Sequence, residues 1–287
     1  MRYSMLRKCH YVFVVQLILS ASAASVQADL LTTNLALRYE TTPGVTPSSS
    51  TWIDQASGDN ATITSVEPYD AGYWFGGGSN GGYMTAGGCT TLNSANAVSF
   101  FAVFASQHTA EYSALFAGSN GGAVDQWCLG LSGSTNTIYV QGRMPGWTDV
   151  HTAFTDNQPG SKFHIVAGVI NGTDSTLNGN DARTISGYLD GGMFGSVTGA
   201  SAWSNGASTG IGIGCAFNGT TAVDGAYKGT IAAVLAYNTA LSPSQVHDVA
   251  QYLHDTYNTA ALVPEPTGLM LLCTGLIGLL AYAWRKR

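Results

Sequence analysis

Short apolar runs, each closed by glycine, asparagine or aspartate, set the strictest limit on what this chain can fold into. They cover Ser99 to Phe104, Ser113 to Ala117, Gln126 to Leu131, Thr137 to Val140, Phe163 to Ile170, Arg183 to Leu189, Thr209 to Gly214 and Gly229 to Tyr237. Breaks such as Gly118-Ser119-Asn120-Gly121-Gly122 and Asn171-Gly172 end each run within a strand's length, which predicts an all-β fold, an antiparallel β-sandwich. With 36 glycines and only 10% charged residues, the composition is poor for long helices and good for strands joined by tight turns. Asp190-Gly191 predicts a two-residue hairpin, because both positions tolerate the positive backbone angles it needs.

One short C-terminal helix is predicted. Ser242 is placed to cap it, Pro243 suits its first position and Gln245 completes a Ser-x-x-Gln capping box. Val246, Val249, Ala250, Leu253 and Tyr257 then share one face, which should pack on the sandwich. His247 and His254 are read as solvated, since no third ligand lies on the same helix.

Both ends of the chain carry apolar segments. Arg2, Arg7 and Lys8 precede an apolar stretch from Tyr11 to Leu19 and small residues through Ala28, the pattern of a signal peptide over residues 1–28. At the other end, the eighteen residues from Thr267 to Trp284 carry no charge and precede Arg285-Lys286-Arg287. As a helix they would reach about 27 Å, enough for a transmembrane span, and the basic cluster would stay on the cytoplasmic side. The body, taken as residues 29–258, would then lie outside the cytoplasm, followed over 259–287 by a linker, a sorting signal and the membrane helix.

Pro264, Glu265 and Pro266, the adjoining apolar helix and terminal Arg285, Lys286 and Arg287 together resemble the PEP-CTERM sorting signal of bacteria that make extracellular polysaccharide. The resemblance implies an exosortase, a membrane protease, as partner. The protein would be anchored in the inner membrane during sorting and then pass to the cell surface or extracellular matrix.

The body in turn resembles a laminin-G-like, concanavalin A-like jelly-roll domain over most of residues 30–258. Trp52-Ile53-Asp54-Gln55 with Gly58 and Asn60 is similar to that family's opening stretch, and Phe75-Gly76-Gly77-Gly78 with Tyr83-Met84 to its Phe-Asp-Gly turn and following strand. Phe163-His164-Ile165-Val166-Ala167 resembles its Trp-His-His-Val-Ala strand, Tyr188-Leu189-Asp190-Gly191 its Tyr-Val-Asp-Gly hairpin, and Gly229 to Leu241 its closing strand. Gly76-Gly77 in place of Asp-Gly removes a carboxylate that relatives offer near a calcium site.

From Asp29 to Val263, sixteen acidic residues face five basic ones, a net charge of minus eleven that argues against a nucleic-acid partner. Cys89, Cys128 and Cys215 allow at most one disulfide or serve as small buried hydrophobes, and no spacing suggests a zinc site. Asp54, Asp149, Asp190 and Asp224 carry oxygens suited to calcium, without the repeated spacing of a site, so no metal and no cofactor is assigned. Catalysis is not expected. The body holds only Glu40, Glu67 and Glu111, none within the Glu-x-Asp-x-Glu strand of related polysaccharide hydrolases, and Asp149, His151 and Asp156 lack a nucleophile on a Gly-x-Ser-x-Gly turn.

Trp147, Trp203 and Tyr188 are the candidate ligand-binding residues, as flat faces for sugar rings, whereas Trp127 reads as core. The expectation is thus an exported, non-catalytic protein that binds carbohydrate or adheres within an extracellular polysaccharide matrix. A structural coat or biofilm protein acting through protein contacts is the alternative, and a divergent polysaccharide hydrolase the remote one.

Overall fold

The computed structural model describes residues 28–42, 50–69, 71–76, 82–107, 112–119, 126–132, 135–144, 146–157, 160–174, 182–199, 209–217, 222–224, 226–262 and 282–283. The expected signal peptide and membrane helix fall, but for residues 28, 282 and 283, outside them, as do Pro264-Glu265-Pro266 and Arg285 to Arg287. Among the described residues no helix is long and apolar enough to cross a membrane.

The first six strands are β1 (Leu35–Glu40), β2 (Thr51–Trp52), β3 (Ala61–Thr64), β4 (Glu67–Tyr69), β5 (Gly72–Gly76) and β6 (Tyr83–Ala86). Next come β7 (Ala97–Ser106), β8 (Ser113–Ser119), β9 (Trp127–Ser132), β10 (Thr137–Met144), β11 (Gly146–Ala153) and β12 (His164–Asp174). The last are β13 (Ala182–Leu189), β14 (Gly192–Gly199), β15 (Gly210–Ile213), β16 (Ala216–Phe217), β17 (Ala222–Asp224) and β18 (Lys228–Tyr237), followed by helix α1 (Pro243–Tyr257).

The first sheet runs β14-β13-β12-β7-β18-β5-β4, with β1 beside the second half of β18, and the second runs β11-β10-β9-β8-β15-β6-β3-β2. All pairs are antiparallel. The two sheets face each other as a sandwich of the jelly-roll kind, as the strand and turn pattern predicts.

Alternation along the central strands explains the layering, because successive side chains leave opposite faces of a sheet. Phe100, Ala102 and Phe104 of β7 point between the sheets, where they meet Trp127, Val140 and Val166, while Phe101 and Val103 point the other way with Ile165, Ala167 and Leu235. Onto that outer face α1 lays Val246, Val249, Ala250, Leu253 and Tyr257, making a second apolar core. Strands β7, β12 and β18 are therefore covered on both sides, which is why their sequences read as near-continuous apolar runs.

The helix is fixed at both ends. The Ser242 hydroxyl accepts from the Gln245 amide at 3.3 Å and the Gln245 side chain accepts from the Ser242 amide at 2.9 Å, the predicted capping box. Near its far end the Tyr257 hydroxyl donates to the Thr41 carbonyl at 2.8 Å, and Arg38 joins Glu40 and the Tyr252 hydroxyl across the helix-sheet seam. The Asp190-Gly191 hairpin forms as predicted, with φ of 47° and 76° at the two turn residues.

Cys89, Cys128 and Cys215 are buried as thiols outside any disulfide, which agrees with the reading of them as small core side chains. The apolar runs begin at Ser99 and so miss β1 to β6, of which the family resemblance supplies only β6 at Tyr83-Met84, and they also miss β11, β14, β16 and β17. These strands are short, glycine-bearing or mixed in polarity, so local pattern is weak and pairing decides them.

Leu253→Ala is expected to cost about 2–5 kcal/mol, since it opens a cavity in the second core, and Ser242→Ala about 1 kcal/mol through loss of the cap. Urea unfolding midpoints measure both. A Leu253→Ala loss below about 1 kcal/mol would contradict a packed helix layer.

Candidate functional site

The outer face of the first sheet is taken up at its centre by α1, whereas the outer face of the second sheet carries an open groove of about 580 Å³. Tyr112, Ser132, Thr135, Thr137, Tyr139, Gln141, Asp149 and His151 line it. Register brings them together: Thr137 pairs with Ser132, Tyr139 with Gly130 and His151, and Gln141 with Cys128 and Asp149. Alternate residues of β9, β10 and β11 thus reach one surface from three neighbouring strands.

Tyr139 is laid flat by what lies beneath it. A Cβ at position 130 would collide with the Tyr139 ring, so Gly130 is the cleft into which the ring folds. Its hydroxyl donates to the Ser113 carbonyl at 3.3 Å, and Tyr112, 69% exposed, meets it edge-on with ring centroids 6.2 Å apart. On one side, Ala216 of β16 packs on Ala114, Ala117 and Cys128 beside Tyr139, forming a low wall. On the other, the exposed Asp149 and His151 pair at 3.2 Å along β11, the last strand of the sheet among the described residues. Two aromatic rings with an amide, hydroxyls and the Asp149–His151 hydrogen bond around them suit hydrogen bonding and ring stacking with a polar, flat-faced ligand.

The residues picked from sequence fare differently. Tyr188 is 4% exposed and belongs to the second core beneath α1, where burial pushes its hydroxyl pKa up, so its ring has no face for a ligand. Its aromatic ring beside a turn marks it in the sequence, but strand alternation turns it toward the helix. Trp147 lies in β11 opposite Arg143, at the same alternate register as Asp149 and His151. Trp203 and the sorting-signal residues lie outside the described residues. Trp127 is core: it stacks on Phe100 at 4.6 Å and meets Phe116 edge-on.

Asp149 and His151, set aside from sequence as a catalytic set, sit on β11 within the groove. Tyr112, Tyr139 and Gln141 escaped notice. The available signal was the alternation Thr137, Tyr139, Gln141 against Ile138, Val140, which sets the polar side chains on one face of a single strand.

Two of the carboxylates weighed for calcium are already satisfied by donors. Asp54 accepts from the amides of Arg38, Ala56, Ser57 and Asp59 and from the Ser57 hydroxyl. Burial opposes its ionisation, but the Ser57 hydroxyl and those amides outweigh it and hold the carboxyl below its usual range. Asp190 accepts from the Ile165 amide at 2.9 Å and contacts His164 at 2.8 Å. Both carboxylates organise turns, with their lone pairs directed at donors.

The model of the concanavalin A-like lectin/glucanases superfamily, in its laminin-G form, matches residues 76–247, and that of the PEP-CTERM protein-sorting motif matches residues 262–287. No curated protein sequence matches the chain. Among solved structures, a Trypanosoma rangeli sialidase is similar over 86% of this chain and 39% of its own, at 14% identity and a TM-score of 0.54. Botulinum neurotoxin type C is similar over 77% of this chain and 52% of its own, at 9% identity and a TM-score of 0.53. Domain 4 of an extracellular arabinanase from Geobacillus stearothermophilus, in complex with arabinotriose, is similar over 76% of this chain and 98% of its own, at 16% identity and a TM-score of 0.53. The chain thus spans about a third to a half of the sialidase and neurotoxin chains. These likenesses concern the fold, and with the match over residues 76–247 they lead to one conclusion: the chain belongs to the concanavalin A-like lectin/glucanase superfamily and carries a PEP-CTERM sorting motif for export.

Proposed function

We propose that this is a surface-sorted carbohydrate-binding protein that holds a neutral extracellular polysaccharide on the outer face of its second sheet and does not cleave it. The observation that carries the reading is the Tyr139 ring seated over Gly130 with Tyr112 against it, beside Gln141, Thr137, Asp149 and His151. A pyranose ring offers one apolar face to such an aromatic floor, and its hydroxyls meet the surrounding amide and hydroxyl groups. The arabinotriose complex of the similar arabinanase domain supports sugar binding on this fold, and the sorting motif supports a place of work outside the cell.

Charge and chemistry narrow the ligand. A body of net charge minus eleven repels polyuronates and favours neutral chains. Glycoside cleavage needs two carboxyl groups flanking the bond, and Asp149, engaged with His151, is the one carboxylate among the described groove residues. Calcium has no assigned role in the groove.

Tyr139→Ala is expected to weaken binding to the host's own extracellular polysaccharide by about 2 kcal/mol, roughly 30-fold in Kd, with unchanged circular dichroism and no response to chelator. Wild-type affinity in that variant would overturn the groove, and reducing ends released by wild type but not by Asp149→Asn would overturn the non-catalytic reading. Sorting through an exosortase, with a membrane anchor before processing, predicts a mature C-terminus near Pro264 by intact mass. Mature protein that still carries Arg287 would contradict it.

A further inference from the structure

His164 stands between two carboxylates in the gap at one end of the sandwich. Its Nδ1 lies 2.8 Å from Asp190 Oδ2 and its Nε2 3.0 Å from Asp156 Oδ2. A neutral imidazole has one N–H and one lone pair, so it can donate to only one of these oxygens and would turn its lone pair against the other. Both contacts are attractive only when both ring nitrogens carry protons. The side chain is 14% exposed, with Phe104 at 6.2 Å and Phe154 edge-on at 5.2 Å as apolar walls. Asp190 comes from the β13–β14 hairpin of the first sheet, Asp156 from the segment leaving β11 of the second.

We propose that His164 is held as a doubly protonated imidazolium that clips β11 to the first sheet, and that alkaline pH releases this clip and loosens the groove's edge strand. Only the functional consequence rests on the groove assigned above; the clip itself does not. β11 is the end strand of the second sheet, and the clip adds a polar tie to the apolar contact that Val150 and Phe154 make with the first. Val150 lies over Gly187 and Gly195 beside the Phe194 ring, and among the described residues no strand pairs with the other long edge of β11. Phe154, buried beside His164, is the last apolar anchor before Asp156. Loosening at this end would reach His151 and Asp149 of β11, three and five residues before Phe154 in the chain.

The direction of the pH effect follows from the surroundings. Burial works against the charged ring, but hydrogen bonds and charge from Asp190 and then Asp156 outweigh it, and the His164 pKa is raised. Asp190 and Asp156 are the main ionisable groups facing the ring, and His247 of α1 approaches the same hairpin at Gly191. A group whose folded pKa exceeds its unfolded value, about 6.5 for histidine, stabilises the fold fully below that value. The contribution is lost as pH rises through the folded pKa.

Ring 15N spectra of the full chain are expected to show both His164 nitrogens protonated at about pH 7, above the usual histidine midpoint. Hydrogen-exchange protection factors for residues 148–153 should then fall through the same titration while those of β7 and β12 hold. Melting temperature should fall with them, by about 2–4 °C or more. His164→Gln should abolish the step, and Asp156→Asn, at a side chain 42% exposed and tolerant of change, should move it to lower pH. A single neutral tautomer near pH 6.5, or β11 protection that ignores the His164 titration, would overturn the proposal. No sugar enters these measurements, so their failure leaves the groove reading standing, and failure of sugar binding leaves the clip standing.

Discussion

Burial of the first sheet on both faces is the constraint on which the rest depends. β7, β12 and β18 send alternate side chains into two separate apolar cores, one shared with the second sheet and one with α1. At about 25 cal/mol per Å² of apolar surface removed from water, such doubly covered strands are where most of the hydrophobic stabilisation concentrates. The helix, with its capping box and its Tyr257 and Tyr252 contacts, therefore acts as a lid over apolar surface that water would otherwise meet.

That constraint also distributes function. With α1 over the centre of one outer face, the groove lies on the other, toward the β10–β11 edge of the second sheet, where the described residues place small and hydroxyl-bearing side chains around one flat ring. Gly130 matters because its missing side chain lets Tyr139 lie down rather than stand up. Charge is sparse and local: Asp149 with His151 on the groove's rim, and Asp156, His164 and Asp190 at the seam between the sheets. The first pair faces water, while His164 and Asp190 of the second group are sheltered.

Much of this architecture is legible in sequence. The β-sandwich, the Asp190-Gly191 hairpin and the capped helix each follow from local chemistry, respectively turn residues, positive backbone angles and a Ser-x-x-Gln box, that needs no partner to be recognised. The groove is not legible in the same way. Tyr139 and Tyr112 become a platform only when register sets Gly130 beneath one ring and brings the other alongside, and that register joins strands far apart in sequence. Tyr188 was misread for the same reason: an aromatic residue beside a turn has two faces to choose from, and only the position of α1 decides that its side is buried. Asp190 illustrates how one residue serves twice, first by tolerating the turn, then by holding His164, and the second role is invisible without the fold.

Hydroxyl-radical footprinting of the protein bound to its host's polysaccharide tests the division between covered and open faces most directly. Protection of Tyr112, Tyr139 and His151, with exposed Tyr69 and Met193 modified as in the free protein, is the result expected. Protection confined to Tyr69, Met193 or the α1 surface, with the groove still reactive, would contradict it.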